Sequence, residues 1–184
     1  MEYLVVAYPE FAPADLAQIQ AIRQVYDPNY AIIAPHMTLV FPMHTQEPER
    51  LRAHVQACVQ DLAAFALEFR CALPMPDVLS DVTHVFLVPD AGFGQIVRLH
   101  SRLYSGVLAD ALRLDVPFVP HATIAACGDA QQAKRVAYGL NAQDFCFRAM
   151  IRRIVLVGFV DEQLSELASF ALPVRAELDA DALV

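Results

Sequence analysis

An α+β fold is what this sequence predicts, and three observations lead there. Of the 184 residues, 57% are hydrophobic and 18% charged, enough apolar surface for one compact domain or two small lobes sharing a core. Apolar runs of strand length interleave with amphipathic stretches of helical spacing, without the regular strand, helix, strand beat of a doubly wound sheet. A short motif also recurs 85 residues along the chain, so the two halves echo one another.

Each element has a local reason. Residues 4–8 are an apolar run stopped at Pro9, the length of a buried strand. Pro13 opens a helix that Leu16, Ile19, Ile22, Arg23 and Tyr26 carry to the Asp27-Pro28-Asn29 breaker. Pro35 and Pro42 bracket a strand at 36–41, and Pro48 starts a helix with Leu51, Val55, Cys58, Val59 and Leu62 on one face. Phe65, Leu67, Phe69 and Cys71 alternate with small or polar residues as a half-buried strand does, ending at Pro74 and Pro76. The second half is similar: a strand at 85–88, a turn at 92–94, a long amphipathic helix at 96–108 and a strand at 121–126. Asp129 is placed to cap a further helix reaching about Leu140, with Gly139 near its end. Strands at 145–150 and 154–160 follow, then a turn at Asp161 and Glu162, a hairpin strand at 164–172 and an acidic tail over about 174–184.

Charge and composition narrow the function classes. Thirteen Lys and Arg against 21 Asp and Glu give a net charge of -8, so the surface repels polyanions and no long nucleic acid is expected as a partner. The longest apolar run, 154–160, is far short of a membrane span of roughly 18 to 20 residues, so no membrane partner is expected. The first residues lack a basic stretch and a small-residue cleavage site. Cys58, Cys71, Cys127 and Cys146 are widely spaced and lie in apolar contexts. A cytoplasmic monomer is the expectation.

The echo carries the chemistry. Pro35-His36-Met37-Thr38-Leu39-Val40 and Pro120-His121-Ala122-Thr123-Ile124-Ala125 both read Pro-His-x-Thr-aliphatic-aliphatic, each on a strand after a helix. With six His and four Thr in the chain, the chance of two such coincidences is roughly a few in 10⁵, which sets coincidence aside. Residues i and i+2 of a strand share a face, so His36 looks into the same space as Thr38, and His121 into the same space as Thr123. If the two halves pack as pseudo-twofold mates, the pairs converge across a cleft. Such a cleft suits a phosphodiester: two hydroxyls donate to its non-bridging oxygens while two imidazoles handle protons on opposite sides of phosphorus.

Other candidates have blander readings. His54 and Cys58 are four apart on one helix face, as zinc ligands can be, but no partner ligands stand out, so they are read as structural and no metal site is expected. His44 is read as a loop histidine, and His84 with Phe86 as either cleft floor or ordinary packing. Gly92-Phe93-Gly94 is read as a turn rather than a phosphate loop, and Asp77 and Asp81 as solvated carboxylates.

The paired elements His36-Met37-Thr38-Leu39 and His121-Ala122-Thr123-Ile124 resemble the signature of the 2H phosphoesterase superfamily, which includes proteins of the 2'-5' RNA ligase type and RNA 2',3'-cyclic phosphodiesterases. The resemblance implies an α+β, bilobal 2H phosphoesterase-like fold: one domain over 1–184, two pseudo-symmetric lobes of mainly antiparallel sheet, outer helices, a central cleft, and strands exchanged between lobes. It implies a metal-independent, cofactor-free phosphodiesterase, with ligation as a side activity. His36 and His121 would be the catalytic pair, His36 the acid and His121 the base, and Thr38 and Thr123 would bind phosphate. Phe41 and Phe118 stand where the family carries aromatics that pack near a base. Ala125, Ala126 and Cys127 stand where RNA-processing members carry a basic residue, which with the acidic charge favours a nucleotide, a short RNA end or another small phosphodiester. An ADP-ribose cyclic phosphate, a 2'-5' oligonucleotide and a non-catalytic nucleotide-binding role are the alternatives.

Overall fold

The structure, a computed structural model, describes residues 2–45, 47–160 and 163–174; the expected turn at Asp161 and Glu162, and the acidic tail apart from Val174, lie outside the described residues. In chain order the elements are β1 (Glu2–Phe11), α1 (Pro13–Tyr26), β2 (Met37–Met43), α2 (Pro48–Val59), β3 (Phe65–Pro76), β4 (Thr83–Ala91), α3 (Phe93–Leu103), a 3-10 helix (Gly106–Ala111), β5 (Ala122–Cys127), α4 (Ala130–Asn141), β6 (Phe147–Val160) and β7 (Gln163–Ala171). Up to β6 the sequence of elements repeats itself: strand, helix, strand, helix, strand, twice.

The strands form one seven-stranded antiparallel sheet in the order β2-β1-β6-β3-β4-β5, with β7 paired to β6. That order is palindromic in the repeat, and the third strand of each half has crossed over: β6 lies beside β1, and β3 beside β4. The junction is the short ladder from Phe65↔Ile151 to Phe69↔Phe147. Helices cross as well, α1 packing on β5 and α3 on β2, and the two end strands β2 and β5 come into contact. The motif-bearing strands are therefore neighbours in space although they stand farthest apart in the sheet order.

The core explains the alternation. Met37 and Leu39 of β2 and Ala122 and Ile124 of β5 are buried with Val5, Ala7, Leu67, Phe69, Val85 and Leu87, leaving the intervening His and Thr positions half-buried. Burying each such aliphatic side chain is worth roughly 1.5–3 kcal/mol, so the register that sends His and Thr to the other face is strongly held.

Several expected boundaries move, each for a visible reason. The strands expected at 145–150 and 154–160 are one strand. Ala7 pairs with Ile154 but Pro9 with Ile151, so β6 carries an extra residue at Arg152 and Arg153, and this bulge broke the apparent alternation. β1 continues through Pro9 to Phe11, with Pro9 at that same irregularity. β3 runs through Pro74 to Pro76, because past Phe69 it is paired only to β4 and its other edge needs no proline N–H for β6. The helix expected at 96–108 is two pieces: α3 ends at Leu103, and Gly106, at φ 51° and packed against the His54 ring, turns the chain into the 3-10 helix. Gly92 holds φ 83° ahead of α3, and a Cβ there would stand 2.6 Å from the Ala66 carbonyl; of the turn expected at 92–94 it alone lies outside the helix, which starts at Phe93.

Candidate active site

His36 and His121 each occupy the residue just before a strand, entered through a buried proline. Proline has no N–H for the ladder, so pairing begins one residue past the histidine, at Met37 and at Ala122. Proline also holds the residue before it extended, which aims that residue's carbonyl back at the imidazole. The result is the same bond twice: His36 Nδ1 donates to the Ala34 carbonyl at 3.0 Å, and His121 Nδ1 to the Val119 carbonyl at 2.6 Å. A carbonyl only accepts, so each neutral ring carries its proton on Nδ1 and leaves Nε2 as the nitrogen available to a substrate.

The halves also share a bulge beside these residues. Val5 pairs with Val40 and Val6 with Thr38; Val85 pairs with Ala125 and Phe86 with Thr123. In both, one residue of β2 or β5 is extra, which is why Leu39 and Val40, and likewise Ile124 and Ala125, are buried in succession. The two threonines thus sit at matched, re-aimed positions.

The surroundings differ. Opposite Thr38 the neighbouring strand offers Val6, whereas opposite Thr123 it offers Phe86, whose ring stacks on His121 at 3.5 Å between centroids and 12° between planes. His84 also stacks on Phe86, at 5.7 Å between centroids, and its Nε2 stands 3.7 Å from an Asp77 carboxylate oxygen. These rings, Thr123, Phe41 and the apolar side chains of Met75 and Val119 line a cavity of about 480 Å³, with Glu2, Asp77 and Arg113 among its polar walls. His36 and Thr38 lie outside that lining, and His36 faces Tyr8 at 6.3 Å between ring centroids. Tyr8, with Arg153 5.1 Å over its ring, borders a second groove along Ala34 and Pro35.

Burial pushes both imidazoles toward the neutral form. His121 is held down to about 4, first by desolvation, with the Val119 bond opposing and the charges of His36 and His84 adding to the depression. His36 is also lowered, chiefly by desolvation, with the Ala34 bond opposing, Arg23 lowering it further and Asp27 raising it. Tyr8 is raised, by burial and by Glu166 against Arg153, and stays a phenol.

The remaining sequence candidates fall as follows. Phe41 lines the cavity and its N–H donates to the Tyr104 hydroxyl at 2.9 Å; Phe118 does not line it, stacking instead on His100 at 3.6 Å. His54 and Cys58 bond to the Leu103 and Arg102 carbonyls, tying α2 to the end of α3. Asp77 caps its own turn through Leu79 N and Ser80 Oγ while reaching the cavity, a role its Pro-rich surroundings concealed. Among the described residues no group of three His, Cys, Asp or Glu is placed to hold a metal ion, and no helix is long and apolar enough to cross a membrane. The buried Arg23 and Asp27 pair behind His36 was not anticipated, although Arg23 follows Ile19 by four on the apolar face of α1, which is a readable signal.

A palindromic sheet that brings two Pro-His-x-Thr strands together, half of them on the wall of an aromatic cavity, places this chain in the class of the phosphoesterases. The family model of the 2'-5' RNA ligase superfamily matches residues 9–163, and the chain belongs to that superfamily. A Bacillus licheniformis protein named "Putative phosphoesterase" is 29% identical over 163 residues, 88% of this chain and 92% of that one. A Bacillus pumilus protein of the same name is 31% identical over 125 residues, 68% of this chain and 70% of that one. Among solved structures the same fold occurs in TT0787 of Thermus thermophilus, at TM-score 0.60 and 16% identity over 95% of this chain and 100% of that one. It occurs too in E. coli LigT in apo form, at TM-score 0.58 and 16% identity over 94% and 97%.

Proposed function

We propose that this chain is a metal-independent phosphodiesterase that opens 2',3'-cyclic phosphates of nucleotides or short RNA ends, with His36 as general acid and His121 as general base. The observation that carries the reading is the doubled imidazole arrangement: both Nδ1 protons are committed to backbone carbonyls, so two Nε2 atoms remain for proton transfer. In the step itself, His121 Nε2 takes a proton from the attacking water as its oxygen bonds to phosphorus. The bond from phosphorus to the ribose 3' oxygen breaks, and that oxygen leaves with the electron pair and takes the proton from His36 Nε2. The product is a 2'-phosphate, with His121 now protonated and His36 neutral; exchange with solvent resets the pair. Thr38 and Thr123 donate to the non-bridging oxygens.

The depressed basicity of His121 favours the base role, because a base must be unprotonated at neutral pH. His36 needs its proton only once the phosphodiester anion has arrived, and that negative charge favours the imidazolium. The cavity supports a small organic group on the His121 side: its aromatic and apolar walls suit a nucleoside, while Glu2 and Asp77, outnumbering Arg113, oppose further phosphates. The fold's occurrence in E. coli LigT, which has been crystallised with 3'-AMP, agrees with a nucleotide-sized ligand. The chain is taken to act as a monomer in the cytoplasm.

The test is hydrolysis of the four 2',3'-cyclic nucleoside monophosphates and of a short RNA ending in a cyclic phosphate, in EDTA. Turnover of at least one, with a 2'-phosphate product, is the expected result. Failure of a well-folded protein to open any of them would pass the site to another small phosphodiester or to a binding role.

A further inference from the structure

We infer that Arg23 is a positioning residue for His36: it anchors the peptide whose neighbouring carbonyl accepts the His36 Nδ1 proton, and so selects the tautomer that leaves Nε2 to the substrate. Arg23 is the largest fully buried side chain in the described protein, at 1% exposure, and a guanidinium is costly to bury unless its donors are met. Here they are. Nε donates to Asp27 Oδ2 at 2.7 Å, Nη1 to Gln20 Oε1 at 3.2 Å, and Nη2 to the Ile33 carbonyl at 2.7 Å and the Asn29 carbonyl at 3.4 Å.

Three of those partners belong to the loop between α1 and β2, and Ile33 is the last link before the motif. The next carbonyl, Ala34, is the acceptor of His36 Nδ1. Two successive carbonyls therefore receive the guanidinium and the imidazole, and fixing the first fixes the plane of the peptide that leads to the second. Asp27 completes the device: its Oδ2 neutralises the guanidinium while its Oδ1 accepts from Asn29 N at 2.9 Å, holding the loop's first turn. The counterpart loop before His121 has no buried pair, its Arg113 and Asp115 pair being exposed, and there the imidazole is held by the stacked Phe86 ring instead.

This rests on the proposed role of His36, so the test reads the imidazole separately from turnover. Arg23→Met alone would leave Asp27 buried without its cation, so Arg23→Met with Asp27→Asn is the variant of choice: both charges go together and the side-chain acceptor for Asn29 N stays. Arg23→Lys is measured beside it, keeping charge but lacking the fork that spans Asp27 and Ile33. In the wild type, ¹⁵N spectra of the ring nitrogens at neutral pH should show Nδ1–H at both His36 and His121. Both variants should lose the Nδ1–H preference at His36 alone, with kcat down about tenfold and KM unchanged, the usual scale for a group that orients a functional imidazole. Should His36 keep its Nδ1–H in a folded variant of either kind, the inference is wrong, whichever substrate the enzyme turns over.

Discussion

The two strand entrances use one motif and two different supports. His36 is reached through a loop pinned by the buried Arg23 and Asp27 pair, and its ring faces Tyr8. His121 is reached through a loop whose ion pair is exposed and whose Phe118 is packed on His100; its own ring is clamped by Phe86. One imidazole is positioned by directed hydrogen bonds and the other by stacked rings and desolvation. Duplicated strands thus preserve the bond that sets the tautomer while the surroundings diverge, and under the proposed mechanism those divergent surroundings separate the acid from the base.

The sharpest way to break that comparison is to remove each ring. Alanine at His36 or at His121 should cut kcat on a cyclic nucleotide by roughly 10²- to 10⁴-fold, while alanine at Thr38 or Thr123 should cost about tenfold. A substrate with a nitrophenolate leaving group needs little acid assistance, so it should largely restore His36→Ala and leave His121→Ala slow. Equal restoration of both would reverse or abolish the assigned division of labour.

Acid stability gives a smaller effect that belongs to the same contrast. His121 titrates near 4 in the folded protein against 6.5 for an ordinary imidazole. As pH falls below 6.5 the unfolded chain takes up a proton that the folded one refuses, so stability is lost progressively down to about 4 and no further from this group. At about 1.4 kcal/mol per pH unit, the loss is on the order of 3 kcal/mol, and His36 adds to it with the same sign. Asp77 and Glu68 are held below their ordinary values by hydrogen bonds, from Ser80 and Arg70 first. Urea midpoints at pH 7 and pH 4.5 measure it, and His121→Gln should flatten the dependence.

Much of this was readable in the residues. The alternation in Phe65, Leu67 and Phe69 placed β3, and the recurrence of Pro-His-x-Thr located both strand entrances. What escaped was whatever depends on pairing partners. The bulge at Arg152 and Arg153 looks like a loop until β1 lies alongside, and Pro74 looks like a terminator until β3 is seen to have one free edge. Phe86 could be assigned to a strand face, but its stacking on His121 requires β4 and β5 to be in register. In the sequence a turn carboxylate such as Asp77 reads as solvated, and only the fold brings it to His84.

The central claim is that His36 and His121 work as one singly protonated pair, and the pH dependence of kcat/KM tests it most directly. The wild type should give a bell whose two apparent pKa values belong to the pair and whose acidic limb lies below the ordinary histidine range. His121→Ala should lose the acidic limb and His36→Ala the basic one. A bell that survives intact in either variant would contradict the account.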